Sequence, residues 1–587
     1  MADIIQLLPD AIANQIAAGE VIQRPASVVK ELLENAIDAG SDQIKLILKD
    51  AGKLLVQVID NGKGMSETDA RMSFERHATS KIRKAEDLFV ISTKGFRGEA
   101  LASIAAIAQV ELKTKQADDE LGVRIVIEGS SIKKQELCQH QKGTSIAVKN
   151  LFYNVPARRK FLKTNAVELK HILEEFQRLA LAHPDIFFSL FHNDNEVYHL
   201  PKENLRQRIV NIYGKNMNEK LVPVSEETDI MKISGYVGKP EYHKKTRGEQ
   251  LFFVNDRFIK SPYLNHATMA AYEDLLPKGT YPFYAIFIEM NPDKIDVNVH
   301  PTKQEIKFEE ERLVYNYVRV AVRHALGQYT MTPTLDFETA PGFSNAGAGS
   351  SDAAYYSKIN AQEESNLANW KKLFDGVEEI EDNKQFNFES SLIGNDEDTI
   401  VKQPQQLHNS YIMSQIKSGL LIIDQQAAHE RILFEKHLSM LAEQKASTQK
   451  ALFPKTIELS NADSIIFQSM LESINHLGFD IQEFGSDSFI VHGKPAHIDP
   501  DANEEKLIKQ LLDQYKMNLD LKLEATENIA QAFAVSASVK RGKSLSEEEM
   551  LDLINELFAC EVPYKSPTSR KCFITIDLDE LTKRFST

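Results

Sequence analysis

The chain has 587 residues, 42% of them hydrophobic, and carries 69 Lys and Arg against 85 Asp and Glu for a net charge of -16. That length exceeds one ordinary core and implies about three or four domains, and the acidic total argues against a surface uniformly attractive to nucleic acid. No run of 18 apolar residues occurs, and the first residues, MADIIQLLPDAIANQ, show no basic stretch followed by an apolar one, so neither a helical membrane span nor a secretory leader is expected.

The charge is unevenly spread: +1 over residues 1–330, -10 over 331–400 and -7 over 401–587. Most of the acidity therefore belongs to a short middle stretch, and the first 330 residues have room for local basic surfaces. Cys138, Cys560 and Cys572 form no CxxC pair, which excludes a disulfide framework and an all-cysteine zinc site and fits a reducing, cytoplasmic setting.

In chain order, the first strong signal is a helix after Pro25. Val28, Val29, Leu32, Leu33, Ala36 and Ile37 recur in pairs four apart as a buried stripe, with Ser27 placed to cap the start. The other face carries Glu31, Asn35 and Asp38, and their spacing brings carboxylate and amide oxygens together. Taken alone, such a face is most often simply solvated. Val56-Gln57-Val58-Ile59 reads as a buried strand ending in Asp60-Asn61-Gly62-Lys63-Gly64, where glycines permit a tight turn and close approach to a ligand. A carboxylate at that strand end, Asp60, is suited to accept from the exocyclic amine of a purine. His77-Ala78-Thr79-Ser80-Lys81 follows, then Gly95-Phe96-Arg97-Gly98-Glu99-Ala100-Leu101, a glycine-bracketed loop opening into an alanine-rich helix. Exposed N–H groups there suit a phosphate cradle; an ordinary loop-to-helix turn fits the same residues.

Helical and strand patterns alternate through residue 330, which predicts α/β or α+β layers. Arg158-Arg159-Lys160 with Lys163, and Lys239, Lys244, Lys245 and Arg247, are local basic clusters without a base-reading motif, so any DNA contact there is expected to be backbone-directed and salt-sensitive. Residues 331–404 are rich in Gly, Ser, Asn and acid and read as a disordered tether holding the lone Trp370. From 405 onward, apolar runs such as GLLIIDQ and SFIVHG predict a second folded α/β region.

These motifs together resemble the GHKL ATPase superfamily, and within it the MutL family of DNA mismatch repair proteins. The resemblance rests on Glu31 through Gly40 (ELLENAIDAG), Asp60 through Gly64, Gly95 through Leu101, Gly143-Thr144 and the later DVNVHPTKQEIKF. It implies an α+β multidomain chain: a GHKL (Bergerat) ATPase sandwich at 1–220, a ribosomal-protein-like transducer domain at 221–330, the acidic linker at 331–404 and an α/β dimerisation domain at 405–587. It implies ATP and Mg²⁺ as cofactors, with Glu31 as general base and Asn35 as metal ligand. Asp60 would recognise adenine, while Gly64, Thr79, Gly95, Phe96, Arg97, Gly98 and Thr144 would form wall and lid, and Lys303 would reach the γ-phosphate. The implied partners are a second copy of the chain, the mismatch-recognition protein MutS, DNA, the replication sliding clamp and a downstream nuclease or helicase. A topoisomerase subunit or Hsp90-like chaperone fits the second half less well, and a scaffold that binds ATP without turnover is disfavoured by intact Glu31 and Asn35.

Many relatives carry a metal-dependent nuclease in the C-terminal region. Here Gln426 stands in the place of its first histidine, Ala534 through Lys540 lack its cysteine, and Ser566-Pro567-Thr568-Ser569-Arg570 lack its cysteine and histidine. With Glu430 left and His429 the one imidazole nearby, no nuclease activity is expected. Gln449-Lys450-Ala451-Leu452-Phe453-Pro454 resembles a sliding-clamp-binding peptide, with Gln449, Leu452 and Phe453 as contacts; a core-facing loop fits the same pattern.

Overall fold

The computed structural model describes residues 15, 18, 19, 21–81, 84, 93–95, 98–296, 305–331 and 404–585, less 417, 444–445, 486, 499–501, 520 and 522. Phe96, Arg97, Lys303 and nearly all of the proposed linker lie outside the described residues.

The first region holds helix α1 (Pro25–Asp38), strands β1 (Gln43–Lys49) and β2 (Leu55–Asp60), and helices α2 (Glu67–Met72) and α3 (Ala100–Ile107). Strands β3 (Gln109–Lys115), β4 (Gly122–Glu128), β5 (Ser131–Cys138) and β6 (Gly143–Lys149) follow. Helices α4 (Pro156–Phe161) and α5 (Asn165–Ala182) then lead to β7 (Phe187–His192), β8 (Asn195–Leu200) and α6 (Leu205–Tyr213). The strands make one eight-stranded sheet in the order β5-β4-β3-β6-β2-β1-β7-β8. All its neighbours are antiparallel except β1 and β7, which run parallel because a long connection through the helices separates them.

The register explains the core. Leu46 of β1 stands opposite Val58 of β2 and Leu190 of β7, and all three are buried, so the period-two pattern presents one apolar face to the helices. Helix α1 contributes Val28, Val29, Leu32, Leu33 and Ala36 to that core. Its start differs from expectation. Arg24 is the N-cap, without a side-chain bond, and Pro25 opens the helix, because proline presets the helical φ and has no N–H to leave unpaired. Ser27 thus lies within the first turn and caps nothing.

A second, five-stranded sheet, β12-β11-β13-β10-β9, is built from β9 (Leu221–Glu227), β10 (Met231–Gly238), β11 (Gln250–Val254), β12 (Arg257–Ile259) and β13 (Tyr284–Met290). Helices α7 (Pro262–Ala271) and α8 (Glu311–Met331) share its core, and a short ribbon of β14 (Ile295–Asp296) and β15 (Lys307–Phe308) precedes α8. The parallel β11–β13 pair closes a right-sized βαβ crossover around α7.

The C-terminal region contains two smaller sheets. One joins β16 (Gln405–Leu407), β17 (Tyr411–Ile416), β18 (Gly419–Asp424) and β22 (Phe573–Asp577); the other joins β19 (Thr448–Glu458), β21 (Ser488–Pro495) and β20 (Asp480–Glu483). Helices α9 (Gln425–Glu443), α10 (Asn461–His476), α11 (Glu504–Asn518), α12 (Ala525–Ala537), α13 (Glu547–Ala559) and α14 (Leu578–Phe585) complete it.

Candidate nucleotide site

Helix α1 carries its polar face over the first sheet, and a cleft of about 1290 Å³ opens beside it. Glu31, Asn35, Asp60, Gly64, Thr79, Gly95, Gly98 and Thr144 all line this cleft. Every expected nucleotide-site residue within the described residues is therefore brought to one volume, although the chain between the first and last of them exceeds a hundred residues.

Asp60 ends β2 and is held in place by short bonds. Its Oδ1 accepts from the Gly62 N–H at 2.8 Å and the Ser41 hydroxyl at 3.0 Å, and the Thr144 backbone also bonds it. Burial raises its pKa above the ordinary carboxylate value, opposed by these bonds. Thr144 faces it across the β2–β6 register and shares a hydroxyl contact of 3.1 Å with Thr114.

Two glycines are sterically obligatory. Gly64 has φ +70°, and a Cβ there would stand 2.1 Å from the Lys115 carbonyl oxygen. Gly98 has φ +64°, and its Cβ would stand 2.4 Å from the Ala78 carbonyl oxygen. The glycines of both motifs thus bring separate backbone segments into contact at the cleft wall.

Asp38 proves to be the organising carboxylate. Its Oδ1 accepts from the Lys94 N–H at 3.0 Å and its Oδ2 from the Gly95 N–H at 3.1 Å, so the helix holds the root of the GFRGEAL loop directly. The Lys81 ammonium donates to Asp38 Oδ2 at 2.5 Å and to Asn35 Oδ1 at 3.2 Å. Asn35 therefore presents its amide oxygen to a cation. Glu31 lies one turn earlier, with Lys30 Nζ 4.0 Å away. Sequence reasoning placed Asp38 on this face without a role and named Lys81 only within its motif. The missed signal was a lysine four residues after His77, whose partners are 43 and 46 positions away.

The basic clusters divide by use. Arg158 is half-buried and donates to the Ile22 carbonyl oxygen at 3.4 Å, while Arg159 and Lys160 are exposed on α4 beside Phe161, itself 85% exposed. Lys244 pairs with Glu249 at 2.6 Å, Arg247 lies 4.6 Å from the Tyr281 ring centroid, and Lys245 is exposed.

In the C-terminal region, Glu430 is 1% exposed and fully engaged: Arg570 Nη2 donates at 2.7 Å, Gln426 Nε2 at 3.0 Å and Thr568 Oγ1 at 3.2 Å. His429 Nδ1 accepts from the Val539 N–H at 2.9 Å, and burial lowers its pKa to about 4. Burial also pushes the Cys572 thiol up to about 11, which disfavours the thiolate. Gln449 of β19 pairs with Lys494 of β21, and Leu452 and Phe453 lie in the irregularity of β19 between Lys450 and Lys455. Leu452 is 94% and Phe453 82% exposed, so the core-facing alternative fails and two apolar side chains stand in solvent.

Comparison with known proteins agrees with this architecture. The family model described as "Histidine kinase-, DNA gyrase B-, and HSP90-like ATPase" matches residues 23–152, "DNA mismatch repair protein, C-terminal domain" matches 209–327, and "MutL C terminal dimerisation domain" matches 405–545. The chain is 49% identical over 613 residues to the DNA mismatch repair protein MutL of Flavobacterium psychrophilum and 47% identical over 619 residues to that of Christiangramia forsetii, with 100% of both chains covered in each case. A solved structure of the Aquifex aeolicus MutL ATPase domain complexed with ADP is 25% identical, covers 46% of this chain and 94% of its own, and has a TM-score of 0.35. The chain belongs to the MutL family of DNA mismatch repair proteins.

Proposed function

We propose that this protein is the ATP-driven, homodimeric matchmaker of mismatch repair in its cell, coupling mismatch recognition to downstream factors. The observation that carries the reading is the convergence of Glu31, Asn35 and Asp60 with the glycines of two motifs on one cleft. Hard oxygen donors suit Mg²⁺, and an Asn35 oxygen already turned to a cation fits that role. When bound, Mg²⁺ would offset the charge of the triphosphate. The chain's own residues supply the rest: Asp60 accepts from the adenine amine, Glu31 takes the proton of the attacking water, and the loop that follows Gly95 would bind phosphate oxygens. Phe96 and Arg97 would complete that loop, and Lys303 would reach the γ-phosphate from the second domain; for these three the support is the motif resemblance.

The division into ATPase domain (1–220), transducer (221–330), linker (331–404) and dimerisation domain (405–587) is supported by the separate sheets and by the three family models. ATP binding would close the two arms of the dimer on DNA, and slow hydrolysis would reopen them. DNA would lie against Arg159, Lys160 and Lys245, with Arg158, Lys244 and Arg247 more constrained by their existing partners. MutS upstream, and a nuclease or helicase downstream, are the partners implied for a cytoplasmic protein of this kind. The exposed Leu452 and Phe453 support a sliding-clamp contact. Absence of a C-terminal nuclease is supported by the engagement of Glu430 with Arg570.

ATP hydrolysis by the wild type and by Glu31→Ala, with nucleotide binding followed in parallel, tests the central assignment. Turnover should collapse while binding persists; unchanged turnover removes Glu31 from its role. Incubation with supercoiled DNA and Mn²⁺ tests the C-terminal reading, and nicking that Glu430→Ala abolishes would overturn it.

A further inference from the structure

The turn between β11 and β12 is Asn255-Asp256, both in the left-handed region with φ 47° and 61°, the geometry of a tight two-residue hairpin. It brings Arg257 against the root of the GFRGEAL loop. Arg257 Nη2 donates to the Thr93 carbonyl at 2.9 Å and to the Lys94 carbonyl at 3.2 Å. In return the Lys94 ammonium, on a residue 6% exposed, donates to the Asp256 carbonyl. Two segments about 160 residues apart are thereby buckled together. The neighbouring Phe258 is fixed as well: the Arg178 guanidinium of α5 lies 4.2 Å from its ring centroid and pairs with Glu175 at 2.5 Å.

The buckle continues into the cleft. Lys94 and Gly95 donate their backbone N–H groups to Asp38, Asp38 accepts from Lys81, and Lys81 donates to Asn35 Oδ1. An unbroken series of hydrogen bonds thus runs from the second sheet to the oxygen assigned to the metal. The geometry points to Arg257 as a positioning residue for ATP turnover, one that sets the Thr93–Gly95 backbone, and through Asp38 and Lys81 the Asn35 amide, according to where the second sheet lies. Arg257 does not line the nucleotide cleft. Its effect is therefore on the arrangement of the reacting groups more than on nucleotide affinity. Both hydrogen-bond acceptors of Arg257 are main-chain carbonyls reached by one nitrogen, Nη2, so the effect needs a long donor at position 257 and no particular side chain at 93 or 94.

This inference rests on the nucleotide reading above, and steady-state ATP hydrolysis by the full chain separates the two. Arg257→Ala should lower kcat at least about tenfold, the scale of one lost charge-assisted hydrogen bond, and leave ADP affinity within about twofold. Arg257→Lys keeps the cation but shortens the reach to the two carbonyls, so it should fall between the two. Lys232→Ala, on an exposed position of β10 in the same sheet, should match the wild type. Should Arg257→Ala fail to fold, Arg257→Lys decides alone. A kcat within about twofold of wild type in folded Arg257→Ala, or in Arg257→Lys where only that variant folds, overturns the proposal. So does a loss confined to KM and ADP affinity, which would mark a binding or purely structural role. No turnover in the wild type would overturn the nucleotide reading and this proposal with it.

Discussion

Glu430 allows a quantitative test of what has become of the C-terminal site. Its carboxylate is buried to 1% exposure and bonded by Arg570, Gln426 and Thr568, whereas the Arg570 side chain is 38% exposed. Removing one partner of a fully buried ion pair costs about 3–5 kcal/mol because the other charge stays buried. Solvent reaches Arg570, so Arg570→Ala should cost about 2–3 kcal/mol. Glu430→Gln should partly relieve that cost in the double variant, since a neutral amide retains its bonds to Thr568 and Gln426 without a charge to strand. Urea unfolding followed by far-UV circular dichroism measures the sum. Hydrogen exchange along helix Gln425–Glu443 locates it. If Arg570→Ala changes stability by less than about 0.5 kcal/mol, or the double variant is as unstable as the single, Glu430 is not held by this pair and the argument fails.

His437 is fully buried, 3.2 Å from His497 between their Nε2 atoms and stacked on Phe533, and burial lowers its pKa to about 3 and that of His497 to about 4. Depressed folded pKa values mean that the unfolded chain binds protons first, so stability present above pH 6.5 is lost as pH falls towards 4, on the order of 2 kcal/mol per histidine by about pH 4.5; a urea midpoint that is flat across that range would refute this. Leu452→Ala with Phe453→Ala should change stability by no more than about 0.5 kcal/mol, because both side chains are already in solvent, yet abolish binding to the sliding clamp in a surface plasmon assay; retained binding removes the peptide from that role. Arg159→Ala with Lys160→Ala should lower the slope of log affinity for DNA against log salt by roughly 1–2, while Lys244→Ala, already paired with Glu249, should change it little; equal slopes in all three proteins would place DNA elsewhere.

Local signals carried the nucleotide cleft. Glu31, Asn35 and Asp38 share a helix, and the helical period alone puts them on one face. Asp60 and Gly64 close a strand whose alternating burial is read from Val56 and Val58, and the φ of +70° at Gly64 is what a glycine in that turn permits. The same locality explains the error at Ser27. A hydroxyl near a helix start suggests a cap, but Pro25 fixes where the helix begins, and Ser27 lies three residues past the capping position at Arg24. Charge counting was similarly blind to use: Arg158, Arg159 and Lys160 are equivalent in a sequence, yet the first bonds the Ile22 carbonyl and the other two face solvent.

Long-range pairings account for the remainder. Arg570 and Glu430 are 140 residues apart, so no local pattern in the sequence signals that this guanidinium neutralises that carboxylate. A buried acid must be protonated, removed or paired, and here it is paired with Arg570. The opposite happens at the nucleotide cleft. There Lys81 and Lys94 bring positive charge to Asn35, Asp38 and the lid root, and burial lowers Lys94 to about 8, close enough to neutrality that its charge is the costly member of the arrangement. Asp38 and the Asp256 carbonyl offset that cost by fixing its backbone and its ammonium at once. A charge is retained in such a place when holding two segments in register is worth its desolvation, and the segments in question are the loop that would meet phosphate and the hairpin of the neighbouring sheet.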